Sequence, residues 1–148
     1  MTLNRLFSRC NKKYFSNSLP KIPVSFSKSI PSAGRFISKF LINERTHKPI
    51  KILISSKLKD NPHQLRTVLT HELIHYHECL YNKPSEEQWD KAQKLYNEHN
   101  KDWRKILYSH RIPPTPSLHD IYFVDLARKL NDTYKELDIG LYLNSFRL

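Results

Sequence analysis

The stretch Asn61-Pro62-His63-Gln64-Leu65-Arg66-Thr67-Val68-Leu69-Thr70-His71-Glu72-Leu73-Ile74-His75 decides how the chain is read. Asn61 suits an N-cap, Pro62 suits the first helical position because no partner awaits its missing N–H there, and Gln64 completes an N-x-x-Q capping box. Leu65, Val68, Leu69 and Leu73 then recur at helical spacing, which predicts a helix from Pro62 to about Tyr81, broken by Asn82-Lys83-Pro84. Within it, His71-Glu72-Leu73-Ile74-His75 is an H-E-x-x-H. Four residues advance the chain by about one turn, so the two imidazoles stand one above the other and can reach one Zn²⁺ at about 2.0–2.1 Å. Glu72, next to His71, is placed to take a proton from water polarised by the metal and pass it to a leaving amine.

A catalytic zinc needs a third protein ligand and an open position. The candidates are His77, Glu78, Glu86, Glu87, Glu98, His99, His110 and His119. His77 is two residues past His75, about 200° round the helix, and faces away. Glu78 lies one turn beyond His75, where a third ligand from one straight helix would crowd the ion, so it reads as an outer neighbour of the site. His99 ends the following helix, and Trp103 after it can anchor the turn in the core. The residues alone leave His99 open between a third ligand and a helix C-terminal histidine stabilised by the dipole. His47, His63, His110 and His119 read as structural or exposed. Tyr76, Tyr81, Tyr108 and His110 are candidates for stabilising an oxyanion, and spacing does not choose among them.

Upstream, Leu3, Leu6, Phe7, Cys10 and Tyr14 give an amphipathic helix over 3–15, ended by Pro20 and Pro23. Strands are predicted at Ile22–Ser27, Arg35–Ile42 and Ile50–Ser55, with polar Asn43–Pro49 as the turn between the last two. Downstream, Ser85 with Gln88 opens a helix bearing Trp89, Ala92, Leu95 and Tyr96 on its apolar face. Trp103, Ile106 and Leu107 suggest a short helix, Ile112–Pro116 an extended connector, and Leu118–Leu137 a last helix. Helix, three strands, then helices indicate an α+β fold. The expected organisation is a single domain over 1–148, with a core of about 3–110 and a C-terminal helical extension of about 117–148.

The 148 residues suffice for one modest core. No run approaches the roughly 18 apolar residues of a membrane span. Two cysteines, Cys10 and Cys79, exclude a disulfide scaffold and a Cys-rich zinc finger, and suit a reducing intracellular compartment. Two glycines cannot build a Gly-rich phosphate loop. The net charge of +11 is unevenly placed: residues 1–59 hold 13 Lys/Arg and one acid, Glu44, while 60–148 hold 12 Lys/Arg and 13 acids. A one-sided basic field suits a polyanion such as nucleic acid, because phosphate contacts release counterions. The acid-free, Ser- and basic-rich first 43 residues also fit a mitochondrial transit peptide.

The sequence resembles the SprT/Spartan family of zinc metalloproteases. The resemblance is carried by Tyr14-Phe15, Leu19-Pro20-Lys21-Ile22-Pro23-Val24, Ser32-Ala33-Gly34-Arg35-Phe36, Ile52-Leu53-Ile54-Ser55, Val68 to His75, and His99-x-x-x-Trp103 in this order. It implies a minimal zincin-like fold with the active-site helix under a small sheet. It implies His71, His75 and His99 as ligands of one catalytic Zn²⁺ and Glu72 as general base. It also implies proteolysis of DNA-associated proteins, including protein trapped covalently on DNA, and so a nuclear, nucleoid or cytoplasmic location. With too few cysteines for the zinc ribbon of relatives, DNA, single-stranded or at a junction, would be engaged by the basic N-terminal part. The resemblance places 3–30 inside the fold, which disfavours the transit-peptide reading. The expected molecule is a monomer without membrane contact. Two other readings stay open: a metallopeptidase with no nucleic-acid role, and a DNA-binding module with a non-catalytic zinc site.

Overall fold

Asn61 caps the long helix as its chemistry dictates: its Oδ1 accepts from Gln64 N–H at 3.2 Å, and its Nδ2 donates to Gln64 Oε1 at 3.1 Å. In this computed structural model, which describes residues 2–98, 102–115 and 118–140, that helix is α2 (Pro62–Tyr81). Before it come α1 (Leu3–Phe15), β1 (Val24–Ser27), β2 (Gly34–Leu41), β3 (Thr46–Ser55) and a 3₁₀ turn at Ser56–Leu58. After it come α3 (Glu86–Glu98), α4 (Trp103–Ser109) and α5 (Ile121–Thr133). The mixture of helices with one three-stranded sheet is α+β.

The sheet order is β1-β3-β2, with β1 parallel and β2 antiparallel to β3. Alternation puts Ile52 and Ile54 of β3 fully inside, with Val24 and Phe26 as their register partners on β1. β3 starts at Thr46 rather than Ile50, so the turn shortens to Ile42–Arg45. Pro49 made this stretch look like loop. The strand tolerates it because Pro49 lies opposite Ser38 at a register shift, and β1 pairs only from Ile52 onward, so no ladder bond is lost. β3 is the central strand, and among the described residues β1 and β2 are the edge strands.

One core joins α1 (Leu6, Phe7, Cys10), the sheet (Ile52, Ile54), α2 (Val68, Leu69, Leu73, Ile74) and α5 (Phe123, Ala127, Leu130). A second cluster gathers Trp89, Ala92, Ile106, Leu107 and Ile112 of α3, α4 and the chain after α4, with Phe40 and Trp103 against it. Burial of Leu3, Leu6, Phe7 and Cys10 makes α1 part of this packing. Both cysteines are free and buried. Among the described residues, no helix is long and apolar enough to cross a membrane.

Candidate metal centre

His71 and His75 lie on consecutive turns of α2, and their ring centroids are 5.1 Å apart. Across from them stands His119, whose Nε2 is 3.2 Å from Nε2 of His71. One ligand atom from each of the three histidines lies within 4.8 Å of the others. Phe123 of α5 packs against all three rings, lying flat on His119 at 4.1 Å between centroids and 4° between planes. This apolar backing removes water from one side of the cluster.

Burial works on each group in the direction its charge dictates. It holds His71 down to about 3, helped by its neighbour His119, and takes His75 well below the ordinary imidazole range. Both rings are therefore neutral at physiological pH, the form in which an imidazole can ligate a cation. Glu72 Oε1 is 3.7 Å from His71 Nε2. Burial pushes the Glu72 carboxyl up to about 8, against an opposing hydrogen bond donated by the Phe36 N–H of β2.

The donor set fits a zinc ion. Tetrahedral coordination with nitrogens at about 2.0–2.1 Å puts ligand atoms roughly 3.3 Å apart, and the His71–His119 separation already has that value. His75 Nδ1 is buried, with no hydrogen-bond partner among the described residues. Three imidazoles also suit the nitrogen preference of that metal.

His119 reaches the cluster through a buried clamp. Glu78 Oε2 accepts from Thr115 N–H at 3.2 Å and from Thr115 Oγ1 at 3.4 Å. Thr115 Oγ1 also bonds Asp120 Oδ2 at 2.5 Å, while Asp120 Oδ1 caps α5 by accepting from Phe123 N–H at 3.0 Å. Burial and the neighbouring Asp120 carboxylate push Glu78 up to about 9. His119 is thus fixed on the chain between a clamp and a cap.

His119, expected to be structural or exposed, is half-buried and stands beside His71 and His75. The hydropathy pattern extends the last helix back to Leu118, but Asp120 is its N-cap, which leaves His119 on extended backbone before the first turn. An Asp three residues ahead of a core Phe was the available signal. His99 lies outside the described residues. Glu78 is not aimed at the ion but buried as the clamp. His77 faces away, its Nδ1 2.7 Å from the Tyr122 hydroxyl. Glu86, Glu87, Glu98 and His110 are exposed. Of the oxyanion candidates, Tyr76 donates its hydroxyl to Pro20 O at 2.7 Å and Tyr81 to Ser18 O at 2.5 Å, so both are committed to the backbone. Tyr108 remains beside Phe36 in a groove along β2.

Residues 3–116 match the model of a family described as the SprT-like family. The matched stretch contains His71, Glu72, His75 and His99 and ends before His119. No curated protein and no solved structure gave a match.

Proposed function

The chain belongs to the SprT-like family, and from that premise we propose that it is a zinc-dependent endopeptidase acting on DNA-associated proteins, in a zincin-like fold. The observation that carries the reading is the convergence of His71, His75 and His119 beside the buried Glu72. The three imidazoles would hold the ion, which when bound supplies Lewis acidity toward water and a peptide carbonyl. Glu72 is the proton carrier: in its ionised form, which a cation held by the neighbouring imidazoles would favour, it takes a proton from the attacking water and returns it to the amine of the cleaved bond. The Phe36 N–H orients that carboxylate, and its desolvated setting keeps proton affinity high.

The substrate backbone is expected along β2. The predicted strand Ile50–Ser55 is not where an extended peptide can join the sheet. That stretch belongs to central β3, whose hydrogen-bonding groups pair with β1 on one side and β2 on the other. Of the two edge strands, β1 and β2, it is β2 that leads to Glu72, through Phe36.

Two features support the DNA part of the reading. The charge excess lies wholly in residues 1–59. A pocket of about 490 Å³ is lined by Arg9, Lys12, Lys13 and Arg66 along α1 and the start of α2. Arg66 is roughly 140° round α2 from His71, so phosphates docked there would leave the metal face clear. Cleavage of protein crosslinked to DNA is the activity this juxtaposition suits.

The test is cleavage of a DNA-bound protein with and without chelator. Glu72→Gln should keep its zinc and lose activity by roughly 10²–10⁴-fold; retained cleavage would remove Glu72 from the chemistry. Metal analysis of His119→Ala and His99→Ala identifies the third ligand. Zinc lost from the His119 variant supports the described cluster, while loss only from the His99 variant assigns the role to His99.

A further inference from the structure

The groove beside β2 has a charge character that composition alone does not reveal. A cavity of about 280 Å³ is lined by Arg35, Phe36, Ile37 and Ser38 in unbroken succession, facing Arg104 and Tyr108 of α4. Successive strand residues point to opposite faces. A cavity touching four in a row therefore follows the strand's edge, where main-chain groups are offered to a partner. Phe36 belongs to this lining and also holds Glu72, so the groove runs up to the proposed general base.

Its side chains carry one sign. Arg35 and Arg104 are both exposed, and among the described residues neither has a carboxylate in salt-bridge range. Among the described residues lining the groove none is acidic. His47, at its inner wall, is buried and held neutral, down to about 4 by burial and the Lys83 charge. Arg104 lies over the Tyr108 ring at 5.9 Å, which steadies the guanidinium at the rim.

We propose that this groove selects extended acidic peptide segments, with Arg35 and Arg104 reading Asp or Glu side chains near the scissile bond. The inference rests on the endopeptidase reading of the site and adds a substrate class to it. A peptide is favoured over a nucleic-acid strand because the groove is a narrow cavity that follows a β edge, where main-chain groups can pair with an extended segment, rather than an open basic track.

The experiment uses matched labelled peptides carrying Glu, Ala or Lys at single positions. Binding is read by anisotropy on the Glu72→Gln protein, and cleavage on the unaltered protein. Glu peptides should bind about tenfold tighter than Lys peptides at low salt, and Arg35→Glu with Arg104→Glu should invert the order. Arg35→Gln with Arg104→Gln should abolish the preference and serves if the double reversal fails to fold. Equal binding of all peptides, or a preference that survives both double variants, would overturn the proposal. Loss of single-stranded oligonucleotide affinity in the double variants with peptide preference intact would also overturn it, by giving the two arginines to nucleic acid. Charge-selective binding without cleavage of any peptide would instead sink the endopeptidase reading and leave the groove's selectivity standing.

Discussion

At the residue scale, Gly34 shows how closely the sheet must approach the helix that carries the site. A Cβ at this position would stand 2.8 Å from Val68 Cγ1 and 3.0 Å from Glu72 Cγ. Val68 is a stiff β-branched residue in the core face of α2 and cannot swing aside. The space, not a special backbone angle, requires glycine here. Gly34→Ala should cost about 1–3 kcal/mol of stability and displace the Glu72 carboxylate. Thermal unfolding and turnover should fall together, whereas an unchanged turnover would mean that the contact is relieved elsewhere. The H-E-x-x-H itself was legible because its geometry is local: spacing along one helix fixes both rings. His119 was not, because its place depends on Glu78, a partner 37 residues from Thr115 in sequence.

At the element scale, the Glu78–Thr115–Asp120 clamp ties the chain ahead of α5 to α2. The folded protein holds Glu78 protonated up to about 9, while an unfolded chain ionises it near the ordinary carboxylate value of 4.5. Across that interval the folded state binds more protons, so stability from this group falls as pH rises from about 4.5 to about 9. Glu78→Gln keeps an acceptor for Thr115 without the titration. The variant should unfold at a higher temperature than the unaltered protein at pH 8, and the two should converge near pH 4. A constant difference across this range would show that Glu78 does not titrate as its surroundings dictate. Most element boundaries were readable from caps. Ser85 accepts from Gln88 N–H at 3.1 Å while Gln88 Oε1 accepts from Ser85 N–H at 2.8 Å, the reciprocal pair that N-terminal patterns predict. The start of β3 was obscured by Pro49, whose tolerance depends on what pairs on either side.

At the scale of the whole molecule, the basic excess of residues 1–59 becomes a pocket on α1 and α2, well round the helix from the histidines. The combined variant Arg9→Ala, Lys12→Ala, Arg66→Ala should weaken binding of a single-stranded oligonucleotide and lower the salt slope by about 2, as three lost phosphate contacts would. Metal content should not change. An unaffected slope would move DNA contact elsewhere, and no binding by the unaltered protein would favour a metallopeptidase without a nucleic-acid role. The sequence by itself determined the capped helix, its paired histidines and glutamate, the α+β order and the charge asymmetry, because each follows from spacing, capping chemistry or composition within a short window. Only the tertiary structure decided which strand lies at the centre of the sheet, why Gly34 admits no side chain, and that the His119 ring stands beside the pair. Those outcomes depend on contacts between segments far apart in the chain, which local patterns do not encode.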